Sequence, residues 1–164
     1  MSSPPVLRTY QFRDVEKIRT SFRSGNRAPL YVAPCGSGKT VLFAYVCAKT
    51  LARGSKVLLL CHRVELVDQI SKALTDQGVS HGFIAAGYPH RRGFSVYIAS
   101  VFTLARRLQL FVPDLIIVDE AHHTVAGTWD AILKAYPRAR RLGVTATPCR
   151  TSGAGLGSHF DDLI

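Results

Sequence analysis

Acidic residues are scarce in this chain: 11 Asp+Glu stand against 21 Lys+Arg over 164 residues, a formal net charge of +10. The imbalance favours polyanion partners, nucleic acid above all, although a basic surface can also be a solvated face. Cysteine is sparse as well. The four present (Cys35, Cys47, Cys61 and Cys149) form no C-x-x-C pair, so neither a zinc ribbon nor a redox dithiol is indicated. Reduced thiols in a cytoplasmic or nucleoid-associated protein fit best. No apolar run reaches the roughly 18 residues of a membrane span. Met-Ser-Ser-Pro-Pro lacks the apolar stretch of a secretory signal, and no internal repeat is visible. What is plentiful is apolar: 47% of residues are hydrophobic, which excludes a disordered chain. The length suits one domain, 1–164, with a buried core.

The chain is organised around Ala33-Pro34-Cys35-Gly36-Ser37-Gly38-Lys39-Thr40. This stretch follows an apolar run, Leu30–Val32, and opens onto a helical pattern from Val41, the strand–loop–helix setting that a phosphate-binding loop requires. Gly36 and Gly38 permit dihedrals that a Cβ would forbid, so successive N–H groups can turn toward an anion. The following helix adds the positive end of its dipole. Lys39 brings a charge to the β- and γ-phosphates, and the Thr40 hydroxyl can ligate Mg²⁺. One departure stands out: the pattern G-x-x-x-x-G-K-[ST] begins with Gly, and this chain has Ala33.

Upstream, residues 1–6 read as a loose terminus, and Val15, Ile18 and Phe22 mark one face of a helix ended by Ser24-Gly25-Asn26. Tyr10-Gln11 precedes it. A glutamine amide can pair with an adenine edge as donor and acceptor together; an ordinary N-terminal helix accounts for it too. Downstream, Lys56–Cys61 is a continuous apolar strand of the kind found in a parallel sheet covered on both faces. His62-Arg63 lies at its exit, followed by a helical stripe at Leu66, Val67, Ile70 and Leu74. This strand-to-helix turn is on the edge where open α/β sheets bind ligands, and Arg63 there suits a nucleic-acid phosphate. Ser80–Ala86 and Phe94–Ala99 read as further strands, with a basic loop, Gly87–Gly93, between them. Ser100 and Thr103 can bond phosphate oxygens, although capping of the helix that starts at Ser100 explains them as well.

Leu115–Val118 is another buried strand, and Asp119-Glu120-Ala121-His122 follows at its exit. Asp119 can hold Mg²⁺ through its water shell, and Glu120 is placed to accept a proton from an attacking water. Thr124–Ala135 is helical. Pro137–Arg141 reads mainly as a basic surface connector, and Leu142–Val144 as a last strand ending in Thr145-Ala146-Thr147. Those two hydroxyls can reach the acidic motif across the sheet edge. Residues from about 150 to 164 look like a linker or mobile tail.

Taken in order, Tyr10-Gln11, Ala33–Thr40, Leu60–Leu66, Ala99–Leu104, Asp119–His122 and Thr145–Thr147 resemble the motifs of superfamily 2 helicases. The likeness lies nearest the DEAD/DEAH-box-like group of RAD25-type, phage and restriction-subunit translocases. The resemblance implies a three-layer α/β RecA-like fold, with a mostly parallel sheet and helices on both faces. It implies ATP and Mg²⁺ as cofactors and nucleic acid as partner, DNA ahead of RNA. It assigns Gln11, Pro34, Cys35, Gly36, Ser37, Gly38, Lys39 and Thr40 to the nucleotide, and Thr40 and Asp119 to the metal. Lys39, Asp119 and Glu120 become catalytic. His122, Thr145 and Thr147 couple the two sites, while His62, Arg63, Ser100 and Thr103 follow a nucleic-acid backbone. The run Thr147–Gly153 is similar to double-strand-DNA translocases.

Nothing in the 164 residues resembles the second RecA-like domain, which carries an arginine finger worth roughly 10³–10⁵ in rate in related NTPases. The chain is therefore expected to be the N-terminal motor half of a longer protein and to hydrolyse ATP slowly alone. Three alternatives stay open: a DNA-translocating restriction subunit, a catalytically silent nucleic-acid-binding module, and a non-helicase nucleotide switch.

Overall fold

The structure, a computed structural model, describes residues 6–123, 126–147 and 159–164. Helix α1 (Thr9–Arg23) leads into β1 (Pro29–Val32), α2 (Lys39–Leu51), β2 (Val57–Cys61), α3 (Glu65–Asp76), β3 (Gly82–Ile84) and β4 (Val96–Ser100). A one-turn helix α4 (Val101–Leu104) follows, then β5 (Leu115–Asp119), α5 (Ala126–Ala135), β6 (Arg140–Thr145) and β7 (Asp162–Leu163). The seven strands form one sheet in the order β3-β4-β2-β5-β6-β1-β7. Every pairing is parallel, so the sheet is wholly rather than mostly parallel.

Strand alternation divides the core into two layers. Val57, Leu59 and Cys61 of β2 face α1, α2 and α3, together with Ile18, Leu42, Phe43 and Ile70. Leu58 and Leu60 face the opposite way, toward Leu104, Trp129, Ile132 and Phe160. Both faces are thus covered, which is why β2 and β5 are apolar at successive positions. The expected three-layer architecture is present.

This sheet order sets the loops after β5, β6 and β1 side by side on one edge. The register pairs Asp119 with Val144 and Thr145 with Val32. The acidic motif, the Thr-rich exit and the glycine-rich loop therefore leave the sheet in one row, the geometry that places ligands at the carboxyl ends of strands in open α/β sheets.

Several sequence expectations need correction. The end of the chain is no tail: Asp162–Leu163 pairs with β1, and Phe160 is buried. The reason is polar and local. The Asp161 carboxylate accepts the backbone N–H groups of Arg27 (2.7 Å) and Ala28 (2.9 Å), and Asp162 accepts Asn26 Nδ2–H (3.2 Å). Arg140 and Arg141 open β6 rather than forming a surface connector, since Arg141 N–H donates to the Arg27 carbonyl (2.8 Å). β3 is shorter than 80–86, and β4 begins two residues later than expected, running on to Ser100. The loose terminus at 1–5, the helix start at 124, Cys149, the run 148–153 and the glycine-rich stretch to 158 lie outside the described residues.

Candidate functional site

The glycine-rich loop begins where β1 is tied to β6, with Ala33 N–H donating to the Thr145 carbonyl at 3.0 Å. Gly36 and Gly38 have φ of 78° and 79°, a region that side chains with a Cβ rarely occupy. At Gly38 space is short as well: a Cβ there would lie 2.7 Å from Gln11 Nε2. Glu120 is the one non-glycine with positive φ among the described residues. Ala33 therefore has no left-handed backbone, and this explains why alanine is accepted where the pattern has glycine. Lys39 heads α2 and folds over its own loop, its Nζ donating to the carbonyls of Ala33 (3.2 Å) and Pro34 (3.1 Å). Ser37 Oγ is buried with no hydrogen-bond partner among the described residues.

Two residues upstream hold this loop from outside. Tyr10 Oη–H donates to the Ser37 carbonyl at 2.7 Å. Gln11 is 3% exposed; its Nε2–H donates to the Gly38 carbonyl (3.1 Å), and its Oε1 accepts Arg8 N–H (2.8 Å). The sequence pointed Gln11 at a base edge, whereas here its amide joins the first turn of α1 to the loop. Tyr10 precedes it in the same motif, and its tether on Ser37 has no signal in the sequence.

On the far side of the row, Asp119 ends β5 nearly buried and accepts Glu120 N–H at 3.0 Å. Burial raises its carboxyl to about 6, and the neighbouring Glu120 charge adds to this; the Glu120 N–H bond and the Lys39 ammonium act the other way. That Lys39 is felt by Asp119 follows from the register of β5, β6 and β1. Glu120 sits at φ 49°, a strained backbone that turns the chain sharply out of the strand. Its carboxylate meets His122 Nδ1 at 3.2 Å. The same nitrogen lies 2.8 Å from Thr145 Oγ1. The Thr145 hydroxyl, fully buried, donates to the Thr147 carbonyl (2.9 Å), and its oxygen accepts Thr147 N–H (3.1 Å). With that proton committed, the network assigns hydrogen to His122 Nδ1, shared between Thr145 and Glu120. Thr147 thus enters through its backbone.

The residues expected at nucleic acid divide. Arg63 is exposed at the turn before α3, and His62 packs at 5.5 Å against the Phe102 ring. Ser100, by contrast, is 2% exposed. It caps α4, accepting Thr103 N–H (3.4 Å) and donating to Thr103 Oγ1 (2.9 Å). Burial removes Ser100 from any strand-facing surface and leaves the cap as its visible work. Ser100→Ala is expected to lower stability by about 1 kcal/mol, as for other caps, with the salt dependence of nucleic-acid binding unchanged; urea melts and binding titrations at several salt concentrations check this. Phe102, 58% exposed beside His62, was not singled out in the sequence.

The site's chemistry fits a nucleoside triphosphate with a divalent cation. The loop supplies backbone N–H groups and a cation. No group of three or more His, Cys, Asp or Glu among the described residues is placed to hold a metal.

Residues 5–150 match the family described as "Type III restriction enzyme, res subunit". The chain belongs to this family. Among curated relatives, it is 36% identical over 133 residues to the 51.5 kDa protein of a Lactococcus phage, covering 80% of this chain and 27% of that protein. It is 27% identical over 173 residues to the Type I restriction enzyme EcoAI endonuclease subunit of Escherichia coli, covering 96% of this chain and 21% of that subunit. The chain thus spans about a quarter of the length of such relatives. Its fold is shared with the UvsW helicase from bacteriophage T4, with a TM-score of 0.75 at 16% identity over 96% of this chain and 59% of that one. It is shared also with the Sulfolobus solfataricus SWI2/SNF2 ATPase core, solved in complex with dsDNA, with a TM-score of 0.69 at 17% identity over 90% and 34% of the two chains. The res-subunit match agrees with the resemblance of the motifs to superfamily 2 helicases. No helix among the described residues is long and apolar enough to cross a membrane.

Proposed function

We propose that this domain is the nucleotide-binding half of an ATP-driven DNA translocase or helicase, with Mg²⁺ as its metal. The observation that carries the reading is the row formed by the loops after β1, β6 and β5. It sets Lys39 within the field of Asp119 and links Glu120, His122 and Thr145 by contacts of 3.2 and 2.8 Å. In this reading Lys39 leaves its loop carbonyls for the β- and γ-phosphate oxygens, and the N–H groups around Gly36 and Gly38 bind the anion. Thr40 and Asp119 hold the cation, which would neutralise charge on the phosphates. Glu120 orients the attacking water and takes its proton. His122 transmits the state of Glu120 to Thr145 and so to the β6 exit. Gln11 keeps the loop shaped, its Nε2 donating to the carbonyls of Gly38 (3.1 Å) and Ser37 (3.4 Å), so that pairing with an adenine edge requires the amide to leave them. Arg63 and Thr103 face DNA. A second RecA-like domain in the parent chain supplies the cation that completes the transition state, so the isolated domain turns over slowly.

Ligand-linked stability tests this directly. Saturating MgADP should raise the unfolding free energy of the wild-type chain, by about 2.7 kcal/mol at a hundred times its Kd, and Lys39→Ala should abolish the gain. Absence of any gain for wild type at millimolar nucleotide would favour a silent DNA-binding module.

A further inference from the structure

The strands start on the edge opposite the nucleotide row, and there a second concavity opens. It has a volume of about 700 Å³ and lies between the C-terminal halves of α1 and α2 and the starts of β5 and β6. Leu115 lines it, whereas Asp119, four residues along the same strand, belongs to the nucleotide row; the two are about 13 Å apart at the usual rise. Six cations surround the cleft: Arg19, Arg23, Lys49, Arg53, Arg138 and Arg140. The lining holds one carboxylate, Asp114, which already accepts Lys56 N–H at 2.7 Å; Arg19 also pairs with Glu16 outside it. The floor is apolar, built from Ile18, Phe22, Tyr45 and Leu115, with Val112 at the rim 68% exposed. Arg140 lies 5.7 Å from the Phe22 ring centre and Lys49 5.3 Å from that of Tyr45, so cations and aromatic surface are interleaved.

We infer that this cleft docks an acidic amphipathic helix of a partner protein. The backbone of a DNA duplex would satisfy the cations but leave the apolar floor without a match; a single strand, whose bases can stack on aromatic rings, leaves the aliphatic Ile18, Val112 and Leu115 of the lining unmatched. A helix with apolar anchors at i, i+3, i+4 and i+7 and carboxylates on its flanks answers both, and opposed charge of this kind steers association. The occupant would not compete with nucleotide.

The probe is a labelled 18-residue peptide with leucine at those anchor positions and glutamate elsewhere, titrated by fluorescence anisotropy against the full chain near physiological salt. Micromolar binding is expected, unaffected by MgADP and weakened at least tenfold by the double variant K49E/R53E. The pair R23E/R138E, on the other wall, should act alike; all four side chains are exposed, and circular dichroism verifies folding. A scrambled peptide of the same composition should bind at least tenfold more weakly. Equal binding of the scrambled peptide would reduce the cleft to plain charge attraction and overturn the inference. So would indifference to both charge reversals, or a single-stranded oligonucleotide that binds as tightly as the peptide and is equally sensitive to them. These results concern only the cleft, since nucleotide-linked stability is measured separately.

Discussion

Asp119→Asn should make the folded chain more stable at pH 8 while lowering ATP turnover by the parent protein roughly 10²-fold or more, the scale seen when one electrostatic group of an active site is lost. The stability half follows from the carboxyl being raised to about 6 in the fold, mainly by burial, against about 3.9 in the unfolded chain. A raised acid binds its proton more tightly when folded. Above pH 6 both states have lost it, and the native state carries the full penalty of a buried, like-charged carboxylate. The penalty shrinks as pH falls from 6 toward 4 and is absent below. Two pKa units correspond to about 3 kcal/mol at most. The Asn Oδ1 can still accept Glu120 N–H, now 3.0 Å from Asp119, so the turn out of β5 keeps its bond. Urea melts at pH 8 and pH 4.5 should show the variant ahead by the full amount at the first and by only about 1 kcal/mol at the second. A variant less stable than wild type at pH 8, or an advantage independent of pH, would contradict this account of Asp119. In the proposed role, the stability given up by the wild type is what a metal-holding carboxylate would require, a trade common at functional sites.

The placement of the glycine-rich loop and the acidic motif at the ends of β1 and β5 was legible because each motif is local. Gly36–Thr40 and Asp119–His122 each lie within a few residues of an apolar strand, and strands alternating with helical stripes announce a parallel sheet. What stayed hidden depends on distant partners. β7 has two residues and no periodicity; it exists because Asp161 binds the N–H groups of Arg27 and Ala28, over a hundred positions away. Ser100 looked available for phosphate because sequence cannot report that it is buried at the end of β4. Gln11 was legible as special but not for its bond to Gly38, which spans 27 positions. The basic cleft is assembled from two helices and the starts of two strands, and each contributing residue reads alone as ordinary surface.

Gly143→Ala is expected to destabilise the chain by about 1–3 kcal/mol, the usual range for overpacking a filled core. Gly143 lies in β6 opposite Leu30 of β1 and Val118 of β5. A Cβ there would fall 2.5 Å from Phe160 Cε1, 2.6 Å from its Cζ and 2.7 Å from Leu30 Cδ1. Both side chains are buried, so neither can swing into solvent without uncovering core. Phe160→Ala alone should cost about 3–5 kcal/mol. In the double variant the aromatic obstacle is gone and only Leu30 must adjust, so the two effects should fall short of additivity by 1 kcal/mol or more, as for side chains in direct contact. Additive effects in urea denaturation would mean that the ring does not rest on Gly143 and that residues 159–164 are not docked as described. The single Gly143 variant should weaken MgADP binding as well: Thr145, two residues on, carries the contacts to His122 and Thr147 and offers its carbonyl to Ala33 at the base of the phosphate loop. Displacing β6 from β1 moves that loop and the acidic motif apart together.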